Sequence, residues 1–478
     1  MIRTGPASSV DPSDLLDGSI LDAARALRER RVTVVELVSR SLDRIDATAD
    51  LNAYLAVYRE QSLKVAEAHQ VMLNSGYDLG PLHGIPVALK DNIDMAGERT
   101  TAGSAILKDY VPATDATLTL ALKQAGAIIV GKNNMHEFAW GGTTNNPHYG
   151  TATNPWGENR SPSGSSGGSG IAVATRTVFA SIGTDTGGSI RIPASVAGVS
   201  GIRPTIGRVS NAGVYPLAWT LDTSGPLAKS SEDCAVLLQV IAGNDPRDLQ
   251  TSTARVPPYL SELERPLTGM QIGWIEDYST TNVQPAVRNA FHSALDTFKS
   301  LGAMIVPVRI PDLDAIVDAL VVIDAAEPSA IHEQWLRQRG GEYGADVRAQ
   351  LEAGIAFGAV DYIQAQRYRA HIRSRFAEAF RHVDAILTPT LPYTAPRIGQ
   401  MTVEIDGREQ NTLTTNMQFT ALASVPGLPA LNVPMGFDPD GMPMGLQVIV
   451  PEFEERRALR IGHQMQKVTA FHRQKPAR

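Results

Sequence analysis

The chain contains twice a helical pattern that leads through a glycine turn into a short apolar strand. It reads DATLTLALKQAGAIIVGK at 115–132 and ALDTFKSLGAMIVPV at 294–308. Because successive side chains of a strand point to opposite faces of a sheet, a strand with apolar residues at successive positions is buried on both faces. Helices that alternate with such strands supply the cover. The sequence therefore predicts an α/β fold in which helices cover a central sheet.

The order of patterns along the chain indicates one large domain that spans 1–478. The segment 1–75 reads as helices, and TVVELVSRSLDRI opens with Thr33 and Glu36 at the spacing of a capping box. The run IPVALKDNI predicts a strand that ends near Lys90. Helical patterns dominate from about 270 to 380, and strands return in VDAILTPTLP, GLPALNVPMG and MGLQVIV. No linker-like stretch separates these parts.

The composition, with 43% hydrophobic and 19% charged residues, is that of a globular protein. A net charge of −7 without a dense Lys/Arg run argues against nucleic acid and anionic membranes as partners. The start, MIRTGPASSVDPSDLLDG, lacks the apolar stretch of a secretory signal, and no window approaches the ~20 apolar residues of a membrane span. The lone cysteine, Cys234, excludes an internal disulfide and a cysteine-cluster metal site, and it is expected in the core. We expect a soluble cytoplasmic protein.

The segment from about 140 to 226 is rich in Gly, Ser, Thr, Asn and Pro but keeps strand-like pieces such as TVFASIG. A flexible linker would lack those pieces, so we expect a loop-rich active-site region embedded in the sheet. Its two most unusual stretches are SPSGSSGGSG at 161–170 and GTDTGGSIRIP at 183–193. They offer several serines as nucleophiles, yet neither contains a histidine that could take the proton.

Several common motifs of enzyme sites are missing from the sequence. GSSGGSG lacks the lysine that follows the last glycine of a phosphate-binding P-loop. HEFAW at His136 and HEQWL at His332 lack the second histidine of a zinc-protease helix. GSSGG matches G-x-S-x-G with Ser166 at its centre, but no strand precedes it as a nucleophile elbow requires. The adjacent His136 and Glu137 are more typical of packing than of an acid/base pair. The motif S-x-x-K, in which a lysine base follows a serine at the third position, is absent from the chain. A lysine base would therefore have to come from another part of the chain, and Lys90, at the end of a predicted strand, is the candidate.

Three motifs together, ALKDNID, GSSGGSG and GTDTGGSIRIPA, resemble the amidase signature family in their order and separation. The stretch from Ser163 to Pro226 is similar to that family's glycine- and serine-rich signature almost throughout. The resemblance implies a mixed central β-sheet covered on both faces by helices, in a single amidase domain over 1–478. Within this domain, 80–235 would be the catalytic core and 300–420 the variable region that shapes the substrate pocket.

The resemblance also implies that Ser189 is the nucleophile, that Ser165 relays its proton and that Lys90 is the base. It further implies a cis peptide bond between Gly164 and Ser165. Lysine is a base only when neutral, so its ordinary pKa of about 10.4 must fall by roughly three units. Burial among neutral Gly, Ser and Thr residues would shift the pKa of Lys90 in that direction. The hydroxyl of Ser165 can donate and accept at once, as a relay requires.

By the same resemblance, the oxyanion hole consists of backbone N–H groups in the turn TDTGGS, those of Thr186, Gly187, Gly188 and Ser189. Asp185 and Arg191 carry opposite charges on either side of this turn, and we expect them to hold its shape. Ser166 and Ser169 are expected in the same polar shell. The resemblance implies no metal and no organic cofactor.

The expected reaction is hydrolysis of an amide through an acyl-enzyme, and esters or carbamates (urethanes) share the same carbonyl chemistry. The expected pocket residues near the signature are Met135, Phe138, Tyr215 and Trp219. Further candidates in the variable region, most of them expected in the core, are Trp335, Tyr343, Phe357, Tyr362, Tyr368 and Met417. An apolar acyl or aryl pocket would make aryl amides, anilides and carbamates the first substrates to try.

Two classes of protein share these motifs and this length. One is a stand-alone amidase, and the other is the A-type subunit of an amidotransferase, which releases ammonia from glutamine in a complex that acts on tRNA. The bulky Tyr215 and Trp219 in GVYPLAWTLDTSGP favour the stand-alone amidase, expected as a monomer or homodimer that acts on a small molecule and contacts neither nucleic acid nor membrane. The amidotransferase class stays as the alternative. A catalytically silent scaffold is disfavoured, because Lys90, Ser165 and Ser189 are all present.

Overall fold

The structure, a computed structural model, describes residues 12–477 of the chain. Residues 1–11 and Arg478 lie outside the described residues. Most of the stretch that we expected to lack a secretory signal falls in that first range. Within 12–477, no helix is both long enough and apolar enough to cross a membrane.

The strands of the described chain form one large sheet and two small ones. The small sheets are two-stranded and pair Asn145–Asn146 with Gly150–Thr151 and Thr402–Ile405 with Arg408–Asn411. In chain order the strands are β1 (Tyr54–Val57), β2 (Pro86–Lys90), β3 (Ile128–Asn133), β4 (Asn145–Asn146), β5 (Gly150–Thr151), β6 (Ala180–Asp185), β7 (Ser200–Arg203), β8 (Thr223–Ala228), β9 (Gln271–Ile275), β10 (Met304–Val308), β11 (Ala385–Pro389), β12 (Thr402–Ile405), β13 (Arg408–Asn411), β14 (Ala430–Phe437) and β15 (Pro443–Ile449).

The large sheet has eleven strands in the order β1-β3-β2-β6-β8-β7-β14-β15-β11-β9-β10. It is mixed: β2 runs parallel to β3 and β6, and β9 runs parallel to β10 and β11. The other neighbouring pairs are antiparallel. Every residue of β2, β3, β6, β7, β8, β11 and β15 is buried, so both faces of the sheet are covered. The predicted fold class, a mixed sheet covered by helices, is confirmed.

Helices occupy both the first part of the described chain, from Pro12 on, and the connections between strands. In chain order they are α1 (Pro12–Asp17), α2 (Ile20–Arg28), α3 (Val34–Ala47), α4 (Arg59–Asn74), α5 (Thr117–Gln124), α6 (Gly167–Ala174), α7 (Arg191–Ala197), α8 (Ser231–Ile241), α9 (Glu276–Ser279), α10 (Pro285–Ser300), α11 (Ile316–Arg339), α12 (Ala345–Ile355), α13 (Ala359–Ala379), α14 (Thr412–Thr415), α15 (Ala421–Ser424) and α16 (Glu455–Val468).

Local sequence signals explain where some helices begin. The predicted capping box is present at α3, where Thr33 Oγ1 accepts from the Glu36 amide at 3.1 Å and Glu36 Oε2 accepts from the Thr33 amide at 2.8 Å. Pro285 occupies the first turn of α10, where its missing N–H is tolerated. Cys234 on α8 is fully buried in the main hydrophobic core, as expected.

Two local expectations are wrong. The helical reading of 1–75 misses β1, which pairs with β3 at one edge of the sheet and therefore depends on a partner about 75 residues away. The apolar run at 304–308 does form a strand, β10, but Met304 is 49% exposed. Because β10 is the last strand in the sheet and has a single neighbour, β9, its outer edge lacks the cover that an interior strand receives.

Candidate active site

Two adjacent parallel strands bring the candidate residues together. Lys90 is the last residue of β2 and Asp185 is the last residue of β6, its parallel neighbour. The turn after β6 carries Ser189 and then enters α7. Ser165 lies two residues before the start of α6. The site is thus at the carboxyl ends of neighbouring strands, where ligands bind in open α/β sheets.

Lys90 is fully buried and its ammonium nitrogen faces two hydroxyl groups. Lys90 Nζ lies 2.7 Å from Ser165 Oγ and 2.8 Å from Thr184 Oγ1. Burial lowers the pKa of Lys90 to about 7, against the opposing influence of the carboxylates of Asp222 and Asp185. Near neutral pH a large share of this lysine is therefore uncharged and able to accept a proton.

The serine-rich stretch holds its two central serines in different environments. The Gly164–Ser165 peptide bond is cis, as the resemblance implies. Ser165 is fully buried and turns its hydroxyl to Lys90. Ser166 turns its hydroxyl the other way, to the Thr184 carbonyl at 3.2 Å, while its amide donates to the Ser189 carbonyl at 3.3 Å. Ser166 is therefore a link between the two stretches, whereas Ser165 is in contact with Lys90.

Ser189 stands at the border between this buried cluster and a cavity. It is half-buried and lines a cavity of about 260 Å³ together with Gly164 and Gly187. Its hydroxyl makes no hydrogen bond to a residue within 12–477, so it is free to turn toward a group in the cavity. In sites without substrate, catalytic hydrogen bonds are often long and tighten only when substrate binds.

The turn before Ser189 presents unpaired backbone donors to the same region. The amides of the four positions assigned to the oxyanion hole donate to no other described residue; they are Thr186, Gly187, Gly188 and Ser189. Gly188 has φ +144°, and a Cβ there would lie 2.6 Å from Ile192 Cδ1. The turn therefore requires glycine at this position, and its free N–H groups can stabilise a developing oxyanion.

Asp185 forms a fully buried ion-pair network at the base of the turn. Its carboxylate lies 2.9 Å from guanidinium nitrogens of both Arg191 and Arg203, and it accepts from the Ile190 amide at 3.1 Å. Burial alone would raise the pKa of Asp185, but the two guanidinium groups hold it well below its usual range. Asp185 and Arg191, expected to hold the shape of the turn, are thus in direct contact, and neither lines the cavity beside Ser189.

Three residues of this network were missed by the sequence analysis. Thr184 contacts Lys90, Arg203 is the second partner of Asp185, and Asp222 accepts from Thr186 Oγ1 at 2.5 Å. Burial raises the pKa of Asp222 to about 6, in spite of the hydrogen bonds that it accepts. Thr184 precedes the predicted residue Asp185 in β6, so the alternation of side chains along this strand could have identified it from the sequence. Arg203 and Asp222 reach the site through β7 and the segment before β8, and the sequence carries no local signal for that.

Of the four expected pocket residues near the signature, none lines the cavity beside Ser189. Met135 and Phe138 are core residues and are almost completely buried. Phe138 packs against the ring of His332 at a centroid distance of 4.4 Å, in an aromatic cluster that fills the space. Tyr215 and Trp219 line a second cavity of about 360 Å³, which also borders Thr184. The expectation for Met135 and Phe138 is therefore wrong.

The candidates from the variable region also divide into residues that line the cavity of Ser189 and residues that do not. Phe357 and Met417 line the cavity of Ser189. Trp335 and Tyr343 belong to the aromatic cluster around Phe138. The remaining two use their hydroxyls elsewhere: Tyr362 donates to Glu327 and Tyr368 to the Asp312 carbonyl. His136 and Glu137 also have structural partners, since His136 Nε2 lies 2.9 Å from Asp346 Oδ2 and Glu137 accepts from Ser104 Oγ at 2.6 Å.

In residues 12–477, no group of three or more His, Cys, Asp or Glu side chains is placed to hold a metal ion. The site holds a buried lysine in contact with one serine, and a second serine in a turn with free backbone amides. This arrangement is typical of hydrolases that use lysine in place of histidine as base. The fold and the site thus define an α/β serine hydrolase. The chain belongs to the amidase family, whose family model matches residues 36–459.

Comparison with individual proteins refines this assignment. The chain is 37% identical to the A-type subunit of the glutamyl-tRNA(Gln) amidotransferase of Marinobacter nauticus, over 96% of this chain and 99% of the relative. Among solved structures it is similar to a protein described as part of an unexpected vestigial protein complex that reveals the evolutionary origins of an s-triazine catabolic enzyme (TM-score 0.90, 35% identity, 94% and 98% of the two chains). It is also similar to the A-type subunit of the glutamyl-tRNA(Gln) amidotransferase of Thermotoga maritima (TM-score 0.80, 33% identity, 95% of each chain).

These comparisons overturn two expectations from the sequence. The preference for a stand-alone amidase is wrong, because the relatives from Marinobacter nauticus and Thermotoga maritima are both named as amidotransferase subunits. The expectation of a monomer or homodimer without a nucleic-acid partner does not fit relatives named for glutamyl-tRNA or a neighbour from a protein complex. The physical reason is that Tyr215 and Trp219, which decided the preference, do not line the cavity of Ser189.

Proposed function

We propose that the chain hydrolyses a carboxamide through an acyl-enzyme on Ser189. The observation that carries this proposal is the 2.7 Å contact between Lys90 Nζ and Ser165 Oγ, both fully buried and both beside the turn of Ser189. A lysine with a pKa near 7 can act as a general base, and a hydroxyl between it and the nucleophile can pass the proton on.

In the first step, Ser189 Oγ attacks the amide carbonyl carbon while its proton passes to Ser165 and the proton of Ser165 passes to Lys90. The carbonyl oxygen becomes an oxyanion, which accepts hydrogen bonds from the free amides of the turn 186–189. Collapse of this intermediate breaks the C–N bond, and the proton returns from Lys90 through Ser165 to the leaving nitrogen. Water then attacks the acyl-enzyme through the same relay, releasing the acid and restoring Ser189.

The relatives support glutamine as the amide and an amidotransferase complex as the setting. Proteins named as the A-type subunit of glutamyl-tRNA(Gln) amidotransferase match this chain over nearly its full length. We therefore infer that this chain is the amide-hydrolysing subunit of such a complex, with ammonia as the first product. The matching assay is ammonia release from glutamine by the purified chain, alone and together with any chains that co-purify with it.

A second candidate substrate class is supported by the lining of the cavity. Most of the surface beside Ser189 comes from apolar side chains, among them Trp140, Ile192, Leu217, Val321, Phe357 and Met417. Such a wall would accept the ring of an anilide or an aryl carbamate. Aryl acylamidase or urethanase activity is therefore a proposal to be tested beside glutamine hydrolysis, with anilide and carbamate substrates in the same assay.

The roles of the serines are tested by labelling with a fluorophosphonate probe and mapping the adduct by mass spectrometry. We expect an adduct on Ser189 in the native chain and in the Ser166→Ala control. The adduct should be lost in Lys90→Ala, because Ser189 then has no base. An adduct on Ser166 that does not depend on Lys90 would refute the assignment of roles and require a different base.

A further inference from the structure

The cavity beside Ser189 contains one carboxyl group that the proposed mechanism does not use. Asp324 lies on α11 and lines this cavity, facing it from the variable region. Its Oδ1 atom is buried, and no residue within 12–477 donates a hydrogen bond to it. A buried polar atom without a partner is costly, so such an atom in a cavity wall marks a place for a ligand group.

The surroundings of Asp324 add to the demand for a positive partner. Burial, together with the carboxylates of Asp222 and Glu327, raises the pKa of Asp324 well above its usual range. The two neighbouring acids have partners: Asp222 accepts from the Leu217 amide at 2.9 Å, and Glu327 accepts from Thr220 Oγ1 at 2.6 Å. Asp324 is thus the unsatisfied member of three acids, and a cation placed against it would lower its pKa again.

A second unsatisfied acceptor lies in the wall of the same cavity. Asn416 is only 6% exposed, and its Oδ1 atom has no hydrogen-bond partner in the described chain. An ammonium group carries three N–H donors and no acceptor. Buried acceptor oxygens on Asp324 and Asn416 therefore match an ammonium group better than they match a carbonyl or a carboxylate.

Within the described residues, the same cavity has no positively charged group that could receive an anion. No Lys, Arg or His side chain of residues 12–477 lines it. Arg369, which interacts with Glu327, donates to the backbone carbonyls of Thr220 and Val425 at 2.7 and 2.9 Å and does not line it either. A substrate carboxylate that entered this cavity would be desolvated without a counter-charge, which is unfavourable.

We propose that Asp324 forms a binding site for the ammonium group of an amide substrate within the cavity of the nucleophile Ser189, and that Asn416 is a further acceptor in the wall of that cavity. This inference rests on the proposed amide hydrolysis and adds a substrate class to it, namely short ω-amino amides. Glutamine would place its α-ammonium at this site but would bring an α-carboxylate with no cation to receive it. An amide that keeps the ammonium and lacks the carboxylate should therefore bind better than glutamine.

Four amides that share the same three carbons after the amide carbonyl test the proposal. 4-Aminobutanamide is glutamine without its carboxylate, butanamide lacks both charges, and glutarate monoamide keeps the carboxylate without the ammonium. We expect kcat/KM to be highest for 4-aminobutanamide, by about tenfold or more over butanamide, since a charge-assisted hydrogen bond is worth that much. Glutamine should fall below 4-aminobutanamide, and glutarate monoamide should be the poorest of the four.

Matched variants assign the effect to the acid. Asp324→Asn should remove most of the preference, measured as the ratio of kcat/KM for 4-aminobutanamide to kcat/KM for butanamide, and its circular dichroism spectrum shows whether the variant is folded. Asp318→Asn is the control, because Asp318 is an exposed carboxylate on the same helix and does not line the cavity. Equal kcat/KM values for 4-aminobutanamide and butanamide in the native chain would overturn the proposal.

Binding to an inactive variant separates this inference from the proposed function. Ser189→Ala is titrated calorimetrically with 4-aminobutanamide and with butanamide, so that no turnover is needed. Tighter binding of 4-aminobutanamide, lost in Asp324→Asn/Ser189→Ala, supports the ammonium site even if no amide is hydrolysed by the native chain. Absence of a preference in this titration, including no measurable binding of 4-aminobutanamide, overturns it even if other amides are hydrolysed.

Discussion

Lys90 Nζ lies 2.7 Å from Ser165 Oγ at a point where neither side chain is exposed to solvent. The two residues are 75 positions apart in the sequence, and they meet because β2 ends beside the entrance to α6. Without water to solvate an ammonium group, the neutral amine of Lys90 becomes accessible near pH 7. The contact therefore places the amine of Lys90, with its lowered pKa, directly against the hydroxyl of Ser165.

The pH dependence of the reaction should follow the titration of Lys90. Its pKa is about 7, and only the uncharged amine can accept a proton. We expect kcat/KM to fall as the pH is lowered through about 7 and to level off above it. Initial rates with an uncharged amide such as butanamide, measured between about pH 5.5 and 9, give the inflection. A profile that is flat across neutral pH would contradict the role of Lys90 as base.

Asp222 should tune the position of that inflection. Its carboxylate acts against burial and raises the pKa of Lys90. Asp222→Asn removes the negative charge, so the inflection should move to lower pH. Asp318→Asn, on an exposed part of α11, serves as the control and should leave the profile unchanged. A shift to higher pH would show that the charge of Asp222 does not act on Lys90.

The two central serines of the GSSGG stretch should differ in importance. Ser165 contacts Lys90, whereas Ser166 Oγ donates to the Thr184 carbonyl at 3.2 Å. Ser165→Ala should lower kcat by about 10³-fold or more, as expected for a member of a catalytic relay. Ser166→Ala removes one neutral hydrogen bond and should reduce stability by about 1 kcal/mol, with a much smaller effect on kcat. Equal loss of kcat in both variants would argue against a specific relay role for Ser165.

The glycines of the turn should tolerate substitution unequally. A Cβ at Gly188 would lie 2.6 Å from Ile192 Cδ1 and 2.8 Å from Thr420 Oγ1, at a backbone φ of +144°. A Cβ at Gly187 would meet its neighbours only at 3.5 Å, an ordinary contact distance. Gly188→Ala should therefore displace the oxyanion donors and lower kcat by about 10²-fold or more, whereas Gly187→Ala should have a mild effect. Steady-state kinetics of both variants measure the difference. A smaller loss of kcat in Gly188→Ala than in Gly187→Ala would refute the prediction.

Asp185 should matter for stability more than any exposed carboxylate. Asp185→Asn leaves Arg191 and Arg203 as buried cations without their counter-charge, and we expect a loss of roughly 3–5 kcal/mol in the free energy of unfolding. Asp440, which pairs with Arg160 but is 71% exposed, is the control, and Asp440→Asn should cost less than about 1 kcal/mol. Urea unfolding of the two variants measures the difference. Similar losses would mean that the buried pairs do not stabilise the turn.

The stability that Asp185 contributes should also resist acid. Its folded-state pKa is held well below the usual range, so the contribution is complete above the ordinary pKa of an aspartate, about 3.9. It is lost only as the pH falls through the lower, folded-state value. The stability difference between the native chain and Asp185→Asn should therefore be constant from neutral pH down to about pH 5, and a difference that vanishes already above about pH 5 would contradict the assignment.

Sequence patterns could not assign the apolar residues near the site to the cavity or to the core. Met135 and Phe138 follow a buried strand next to the signature, and in sequence they look the same whether they face a cavity or fill the core. The structure packs Phe138 among His332, Trp335 and Tyr343, which come from a distant part of the chain. Phe357 and Met417, by contrast, do line the cavity. Only the packing partners distinguish the two outcomes.

The sequence by itself determined the alternation of helices and strands, the capping box of α3 and the identity of the glycine-rich turn, because these depend on neighbours within a few residues. Its motifs also carried the resemblance that pointed to Lys90, Ser165 and Ser189. Tertiary structure alone decided that Arg203 neutralises Asp185, that Asp222 acts on Lys90, and that Asp324 and Asn416 share the cavity of Ser189. Burial, charge pairing and cavity shape arise between residues far apart in the chain, and no local pattern records which of them will meet.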